Sequence, residues 1–238
     1  GINVSRVLKT LDVDSTALGF SGGFPGDFIA QTLEDSNIQS DFVQVDEDTR
    51  INVKLKSGQE TEINAPGPKV THAQFEQLLS QIRRTTNDDI VIVAGSVPNS
   101  IPSDAYAQIA QITEKTGAQL VVDAEKDLVE TVLPYRPLFI KPNKDELEVM
   151  FNTTVKSDED VIKYGKEILK KGAQSVIISL GGDGAIYVDQ HQSIKAVNPQ
   201  GHVVNTVGSG DSTVAGMVAG LSMGLNVDEA FQQAVASG

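Results

Sequence analysis

Residues 205–216, NTVGSGDSTVAG, combine glycines, hydroxyl side chains and one carboxylate at the start of a helical pattern. Gly208 and Gly210 allow a tight backbone turn, and the small residues that follow predict a helix to about Met223. The free amides of the first turn of such a helix, together with the positive end of its dipole, favour an anion and above all a phosphate. The segment therefore predicts an anion site built from backbone amides.

Asp211 lies inside this predicted anion site, where a carboxylate repels a phosphate unless it acts on a third group. If a substrate hydroxyl lies between them, Asp211 can take its proton while the amides of Gly208, Ser209 and Gly210 stabilise the phosphoryl group in transfer. The alternative is an aspartate that only caps the helix, and the motif alone leaves both interpretations open. The segment matches neither a Walker A loop nor a dinucleotide fingerprint.

A second candidate segment, residues 141–146 (KPNKDE), directly follows the apolar run 138–140. Lys141 can reach a phosphate, and Asn143 and Glu146 can hold a hydrated Mg²⁺ ion. The same spacing of Asn143 and Glu146 also predicts a capping box, so a purely structural role stays open.

Two further polar loops follow apolar runs. Residues 179–184 (SLGGDG) predict either a glycine loop beside a ligand or an ordinary hairpin turn, and the loop by itself favours the turn. Its candidate ligand residues are Ser179, Gly181, Gly182 and Gly184. Ser96, after the run 90–94, can bind a ligand through its hydroxyl or simply start a turn.

The apolar runs that position these loops are short, continuous and rich in β-branched residues, which is typical of parallel strands covered on both faces. They are residues 90–94, 120–122, 138–140 and 176–178. Amphipathic helices are predicted between them, one with Phe75, Leu78, Leu79 and Ile82 on one face and one with Ala105, Ile109 and Ile112. This alternation predicts a doubly wound, three-layer α/β domain with ligands at the carboxyl ends of the strands.

Residues 41–63 break the alternation. Residues 51–56 (INVKLK) alternate apolar and polar side chains, Ser57-Gly58 predicts a turn, and the strand pattern resumes to residue 63, as in a half-exposed antiparallel hairpin. Because the bare face of such a hairpin needs a cover, we expect a lid or a dimerisation surface. The predicted division is an α/β domain, 1–40 and 64–238, and a lid segment, 41–63.

The composition excludes several classes of site. The chain has 238 residues, no cysteine, and a net charge of −13 from 19 basic and 32 acidic residues, so disulfides, thiolate zinc sites and cysteine nucleophiles are excluded. Its acidity argues against nucleic acids and anionic membrane surfaces as partners. No apolar run approaches the roughly 20 residues that span a bilayer, and no secretory segment is found, so we expect a cytoplasmic protein.

Taken in order, these segments resemble the PfkB type of ribokinase-like sugar kinases. Residues 205–216 are similar to the C-terminal signature of that family, residues 143–146 to its Asn-x-x-Glu element, and residues 1–3 to the end of its Gly-Gly-Lys-Gly-x-Asn motif. The resemblance covers essentially the whole chain. Residues 49–53 (TRINV) and 60–68 (ETEINAPGP) most resemble the branch that phosphorylates ketohexose phosphates.

The resemblance implies a ribokinase-like α/β/α fold with a small β lid, and an ATP- and Mg²⁺-dependent kinase. Asp211 would be the general base, and the amides of residues 208–210 the anion hole. Residues 179–184 would line the nucleotide. Its phosphates and magnesium would lie near Lys141, Asn143 and Glu146, with Glu146 reaching Mg²⁺ through water.

The family pattern also implies how the sugar is held. Asn3 and Ser96 would contact the sugar, and Arg50, in the lid, would bind the phosphate that the substrate already carries. The lid would pair across a homodimer. Fructose 1-phosphate is the expected acceptor because the lid sequence is more similar to that type, and tagatose 6-phosphate is the alternative.

Departures from the family set the limits of these expectations. The chain begins at Gly1 without the family's first strand, its sugar-binding aspartate and its glycine-motif lysine, and ends at Gly238 before the adenine-contacting residues, so we expect a fragment with an open sheet edge. A kinase for an unphosphorylated sugar would leave Arg50 without an anion. A non-catalytic regulator on the same fold would leave Asp211 without a role, and a dehydrogenase lacks its fingerprint.

Overall fold

The computed structural model of the chain describes residues 1–57, 59–95, 97–201 and 206–238. The strands in this part of the chain are β1 Thr16–Ser21, β2 Gln39–Gln44, β3 Asn52–Ser57, β4 Gln59–Asn64, β5 Ile90–Ala94, β6 Gln119–Asp123, β7 Phe139–Ile140, β8 Ser175–Ser179, β9 Ala185–Asp189 and β10 Ser193–Ala196. The α-helices are α1 Ile2–Thr10, α2 Gly23–Asp35, α3 His72–Ile82, α4 Ala105–Thr116, α5 Lys126–Val132, α6 Lys144–Phe151, α7 Asp158–Lys171, α8 Ser209–Ser222 and α9 Val227–Ser237.

The largest sheet has six strands in the order β10-β9-β8-β7-β6-β5. The pairs from β5 to β8 are parallel, and β9 and β10 add an antiparallel edge. The predicted mostly parallel sheet is confirmed. Because the strands β5 to β8 run in the same direction, their carboxyl ends and the polar loops after them lie along one edge of the sheet.

Helices cover both faces of this sheet, which gives the predicted three layers. Leu120 and Val122 of β6 belong to one hydrophobic core with α3, α4 and α7, while Val121 between them belongs to a second core with α1, α8 and α9. Alternation along a strand buried on both sides produces this division. The predicted apolar faces of α3 and α4 are buried in the first core, as expected from their helical spacing.

The segment from β1 to β4 is organised differently. β1 and β2 form a separate parallel pair, and β3 and β4 form the predicted antiparallel hairpin. The turn residue Gly58 lies outside the described residues. Residues 41–44, which the sequence analysis placed in the lid segment, form part of β2 and pair with β1, so the hairpin itself spans residues 52–64. In the described ranges, no helix combines the length and apolarity that a membrane crossing needs.

Candidate active site

Asp211 lies in the first turn of α8, on the loop that the sequence analysis singled out. The N-cap residue of α8 is Gly208, with φ +88° in the left-handed region that glycine favours, and Asp211 is the third residue of the helix. Gly208 therefore takes the position that the capping interpretation gave to Asp211. The Asp211 carboxylate instead accepts a hydrogen bond through Oδ2 from Asn3 Nδ2 at 2.9 Å. Asn3 also lies against the loop, because a Cβ on Gly208 would be 3.5 Å from its Nδ2.

A buried ion pair lies next to residues 208–210, the anion loop, at Gly210, whereas Asn3 lies at Gly208. Lys141, only 6% exposed, places Nζ 3.3 Å from Asp123 Oδ1. A Cβ on Gly210 would lie 3.1 Å from the same Nζ, so glycine at this position lets the ammonium group approach the helix amides closely. Lys141 thus adds a full positive charge to the positive end of the α8 dipole.

Asp123 is a residue that the sequence analysis missed. It ends β6 directly after the apolar run 120–122, so the rule that ligands gather at the carboxyl ends of parallel strands was the signal that could have found it. Burial raises the pKa of the Asp123 carboxyl, the ion pair with Lys141 opposes this, and the nearby Asp211 carboxylate adds to the rise. The two carboxylates and the lysine therefore form one electrostatic unit.

Asn143 and Glu146 form the predicted capping box of α6. The backbone N–H of Asn143 donates to Glu146 Oε2 and that of Glu146 to Asn143 Oδ1, both at 2.8 Å. Among the described residues, no group of three or more acidic, histidine or cysteine side chains is arranged to hold a metal ion. The capping bonds leave Oε1 of Glu146 for a contact through water, which suits the expected hydrated ion better than direct coordination.

Residues 179–184 connect two antiparallel strands, β8 and β9, as the hairpin interpretation requires. Gly184 is needed for the turn, since it has φ +90° and a Cβ there would clash with the carbonyl oxygen of Ala196. A Cβ on Gly181 or Gly182 would meet open space. Ser179 forms a bridge with Asn143, which places this loop beside the start of α6.

A cavity of about 790 Å³ brings Asn3, Arg50 and Asp211 together. Ser96 lies outside the described residues, and its neighbours Gly95 and Val97 line the cavity. The candidate residues of the 141–146 and 179–184 segments do not line it. The structure therefore separates the predicted sugar-side residues from the predicted nucleotide-side residues, with the anion loop between Asn3 and Lys141.

Tyr106 supports the wall of the cavity at Gly95. Its hydroxyl donates a hydrogen bond to the carbonyl oxygen of Gly95 at 2.9 Å. Burial, with a smaller contribution from Asp123, raises the pKa of Tyr106 to about 12, so the hydroxyl stays neutral and able to donate. No pattern in the sequence indicates a role for this residue, which lies on the apolar face of α4.

The arrangement suits transfer of an anionic group to a hydroxyl. Asp211 faces a cavity large enough for a small molecule and can take a proton from it. The amides of α8 and the Lys141 ammonium lie next to that carboxylate and provide the positive potential that a transferring phosphoryl group requires.

Comparisons with known proteins agree with this chemistry. The family model described as pfkB family carbohydrate kinase matches residues 1–238. A 1-phosphofructokinase from Bacillus subtilis is 44% identical over 238 residues, which are 100% of this chain and 78% of that protein. A D-tagatose-1-phosphate kinase from Bacillus licheniformis is 38% identical over 239 residues, covering 100% of this chain and 79% of that protein.

Solved structures of similar proteins have the same fold as this chain. A crystal structure of a candidate phosphofructokinase from Staphylococcus aureus is 79% identical, with a TM-score of 0.90 over 99% of this chain and 77% of its own. The tetrameric inhibited form of phosphofructokinase-2 from Escherichia coli is 30% identical, with a TM-score of 0.92 over 99% of this chain and 79% of its own.

Proposed function

Because the chain belongs to the pfkB family of carbohydrate kinases and is a sugar-phosphate kinase, we propose that it phosphorylates fructose 1-phosphate. The γ-phosphoryl group of ATP passes to the free primary hydroxyl, and the products are fructose 1,6-bisphosphate and ADP. The bond between the γ-phosphorus and its bridging oxygen breaks, the bond to the sugar oxygen forms, and the hydroxyl proton leaves through Asp211.

One observation carries this proposal. The Asp211 carboxylate, held by Asn3 at 2.9 Å, lies in the first turn of α8 and faces a cavity that Arg50 also lines. A carboxylate that only stabilised the helix would have no need of a ligand cavity. In this position, Asp211 accepts the proton of a bound hydroxyl while Arg50 binds an anionic group of the same molecule.

The residues on the Lys141 side of the anion loop suit a nucleoside triphosphate. Lys141 is a buried cation against Gly210, and Gly181 and Gly182 leave open space beside the start of α6. ATP with its Mg²⁺ supplies the transferable group and much of the charge neutralisation when bound. The chain contributes the amides of residues 208–210, the Lys141 ammonium and a contact from Glu146 to the hydrated ion.

Tagatose 6-phosphate is the alternative acceptor. The chemistry at Asp211 is the same for both sugars, and they differ in the position of the phosphate that anchors them and in the configuration at C4. A relative at 33% identity is named tagatose-6-phosphate kinase, while the relative at 44% identity is named 1-phosphofructokinase. The higher identity and the lid sequence favour fructose 1-phosphate.

We also propose a homodimer formed through the lid in the cytoplasm, without nucleic acid or membrane as partner. Val53 and Ile63 lie opposite each other on β3 and β4, and their side chains are 46% and 56% exposed. An isolated two-stranded sheet is marginally stable in water, so a second subunit is a suitable cover for its apolar face.

The experiment that tests the function is ADP release at limiting sugar concentration, with four acceptors compared. They are fructose 1-phosphate, tagatose 6-phosphate, fructose 6-phosphate and fructose. We expect kcat/KM for fructose 1-phosphate to exceed the others by about tenfold or more. A preference for tagatose 6-phosphate would change the substrate and keep the mechanism. If ATP binds and no sugar stimulates ADP release, a non-catalytic nucleotide- or sugar-phosphate-binding regulator replaces the kinase.

A further inference from the structure

The charged side chains that line the cavity include one cation, Lys69, that has no role in the proposed reaction. Among the described residues, those that line it with a charged side chain are Glu47, Arg50, Lys69 and Asp211. Arg50 and Asp211 have proposed roles. With Arg50 as the only cation, the wall would carry one net negative charge in a chain whose net charge is −13.

A sugar phosphate is close to a dianion at neutral pH, and such a wall would repel it. Lys69 makes the wall neutral before the ligand binds. We propose that Lys69 is the second cation that binds the phosphate already present on the sugar, next to Arg50, and that it helps to determine the preference for phosphorylated sugars. This inference rests on the proposed function and deepens it.

The backbone around Lys69 directs its side chain away from the core. Pro68 is buried, and Val70 is only 3% exposed and receives a hydrogen bond at its N–H from Ser100 Oγ at 2.9 Å. Lys69 between them is exposed and lines the cavity. Its flexible four-carbon stem allows the ammonium group to follow a phosphate without fixed geometry.

Hydrogen bonds hold the segments that carry the two cations. The backbone N–H of Lys69 donates to Glu47 Oε2 at 2.7 Å, which joins its segment to the 45–50 segment. Thr49, next to Arg50, donates from its N–H to the carbonyl oxygen of Gly22 at 2.8 Å and accepts from the Gly22 N–H at 3.0 Å. Glu47 is therefore a positioning residue that keeps Lys69 beside the segment of Arg50.

The test compares Lys69→Gln with Lys69→Arg in the protein, using fructose 1-phosphate and fructose as acceptors. We expect Lys69→Gln to raise KM for fructose 1-phosphate about tenfold, as loss of one charged contact does. Its kcat, its KM for ATP and its kcat/KM for fructose should stay within about twofold of wild type. Lys69→Arg should recover most of the loss. Lys115→Gln, at an exposed position at the end of α4, is the matched control and should change nothing.

Calorimetric titration of fructose 1-phosphate and of inorganic phosphate measures binding without turnover. Lys69→Gln should weaken both about tenfold, and Glu47→Gln, which removes a negative charge and keeps a hydrogen-bond acceptor, should strengthen both slightly. If wild-type protein binds the phosphosugar and Lys69→Gln binds it equally well, the Lys69 assignment is overturned and the proposed function stands. A loss that is equal for fructose and fructose 1-phosphate also overturns it. A wild-type protein that binds no phosphosugar overturns both.

Discussion

The six-stranded sheet with its helices and the region from β1 to β4 differ in the size of their sheets and in the burial of their apolar side chains. Phe139, Ile177 and Phe231 of the first region are fully buried, and Lys141 is held there in a buried ion pair. The second region contains two separate two-stranded sheets and the helix α2. Among the described residues, half of the large apolar side chains that are more than half exposed lie in this region, Phe24 71%, Phe28 71%, Ile51 55% and Ile63 56%, and the other half lie outside it, Val149 63%, Val197 72%, Val207 54% and Met223 51%.

The two regions carry different parts of the proposed reaction. Asp211 and Lys141 lie on the well-packed region, where precise positions can be maintained and charge stabilisation needs no reorganisation. Arg50 and Lys69 lie in or next to the region from β1 to β4. From these positions we expect the chemical step to depend on the packed region and substrate selection on the other. Substitutions in the two regions should therefore affect different measured quantities.

Asp211→Asn should have the largest effect, because it removes the proton acceptor and keeps the size of the side chain. We expect kcat to fall by about 10²–10⁴-fold, the usual contribution of a general base, with the ATP dissociation constant changed less than threefold. Steady-state ADP release and ATP titration measure the two quantities.

The control for this variant concerns the hydrogen bond from Asn3. An asparagine at position 211 still offers an oxygen to Asn3 Nδ2, so the thermal stability should stay near that of wild type. A kcat within tenfold of wild type would show that Asp211 is not the base.

Gly216→Ala should destabilise the packed region. A Cβ on Gly216 of α8 would lie 2.7 Å from Ala234 Cα and 2.8 Å from Gln233 O of α9, and these are backbone atoms that cannot rotate away. Overpacking of this kind costs about 1–3 kcal/mol, and alanine gains about 1 kcal/mol over glycine in a helix. We expect the clash to outweigh the helix gain, with a net loss of up to about 2 kcal/mol in the free energy of unfolding, measured by urea denaturation.

Gly201→Ala is the matched control for this substitution. A Cβ on Gly201 meets nothing within 4 Å, so its effect should stay within about 0.5 kcal/mol of wild type. Equal stability of the two variants would mean that α8 and α9 pack less closely than described.

The packed region was also the part of the fold that sequence reasoning predicted best. Continuous β-branched runs are typical of strands buried on both faces, as β6 and β8 largely are, and β5, β6 and β8 were found close to their observed ends, although β5 at the end of the sheet is only half-buried. The hairpin was found because its strict alternation is unambiguous. Residues 41–44 of β2 were assigned to the lid instead, since only Val43 of the six residues of β2 is buried and the local pattern does not reveal its pairing with β1.

The candidate site also contains some residues that local sequence patterns predict and others that they do not. Residues adjacent in sequence, such as Gly208 to Asp211, could be identified from their own pattern. The Asp123–Lys141 pair and the bond between Asn3 and Asp211 join positions that are far apart in the chain. Such contacts depend on how the strands are ordered in the sheet, and one sequence does not contain that order in any local pattern.

Arg50→Ala should affect substrate binding and leave the chemical step intact. We expect KM for fructose 1-phosphate to rise about tenfold or more, with KM for ATP and kcat within about twofold of wild type. Initial rates with each substrate varied in turn measure this. Arg84→Ala, at an exposed position outside the cavity, should leave all three constants unchanged, and equal effects on both KM values in Arg50→Ala would exclude a phosphate contact.

The smallest effect on stability should come from the hairpin itself, in the double variant Val53→Thr with Ile63→Thr. Because both side chains are about half exposed, replacing them should change the free energy of unfolding of the subunit by no more than about 0.5 kcal/mol. If the hairpin pairs with a second subunit, the same change places hydroxyl groups in an apolar interface, and sedimentation velocity on dilution should show dissociation at a higher protein concentration than for wild type. Val197→Thr, 72% exposed and distant in sequence from the hairpin, should leave both quantities unchanged. An unaltered association in the double variant would mean that the apolar face of the hairpin is not the surface through which subunits associate.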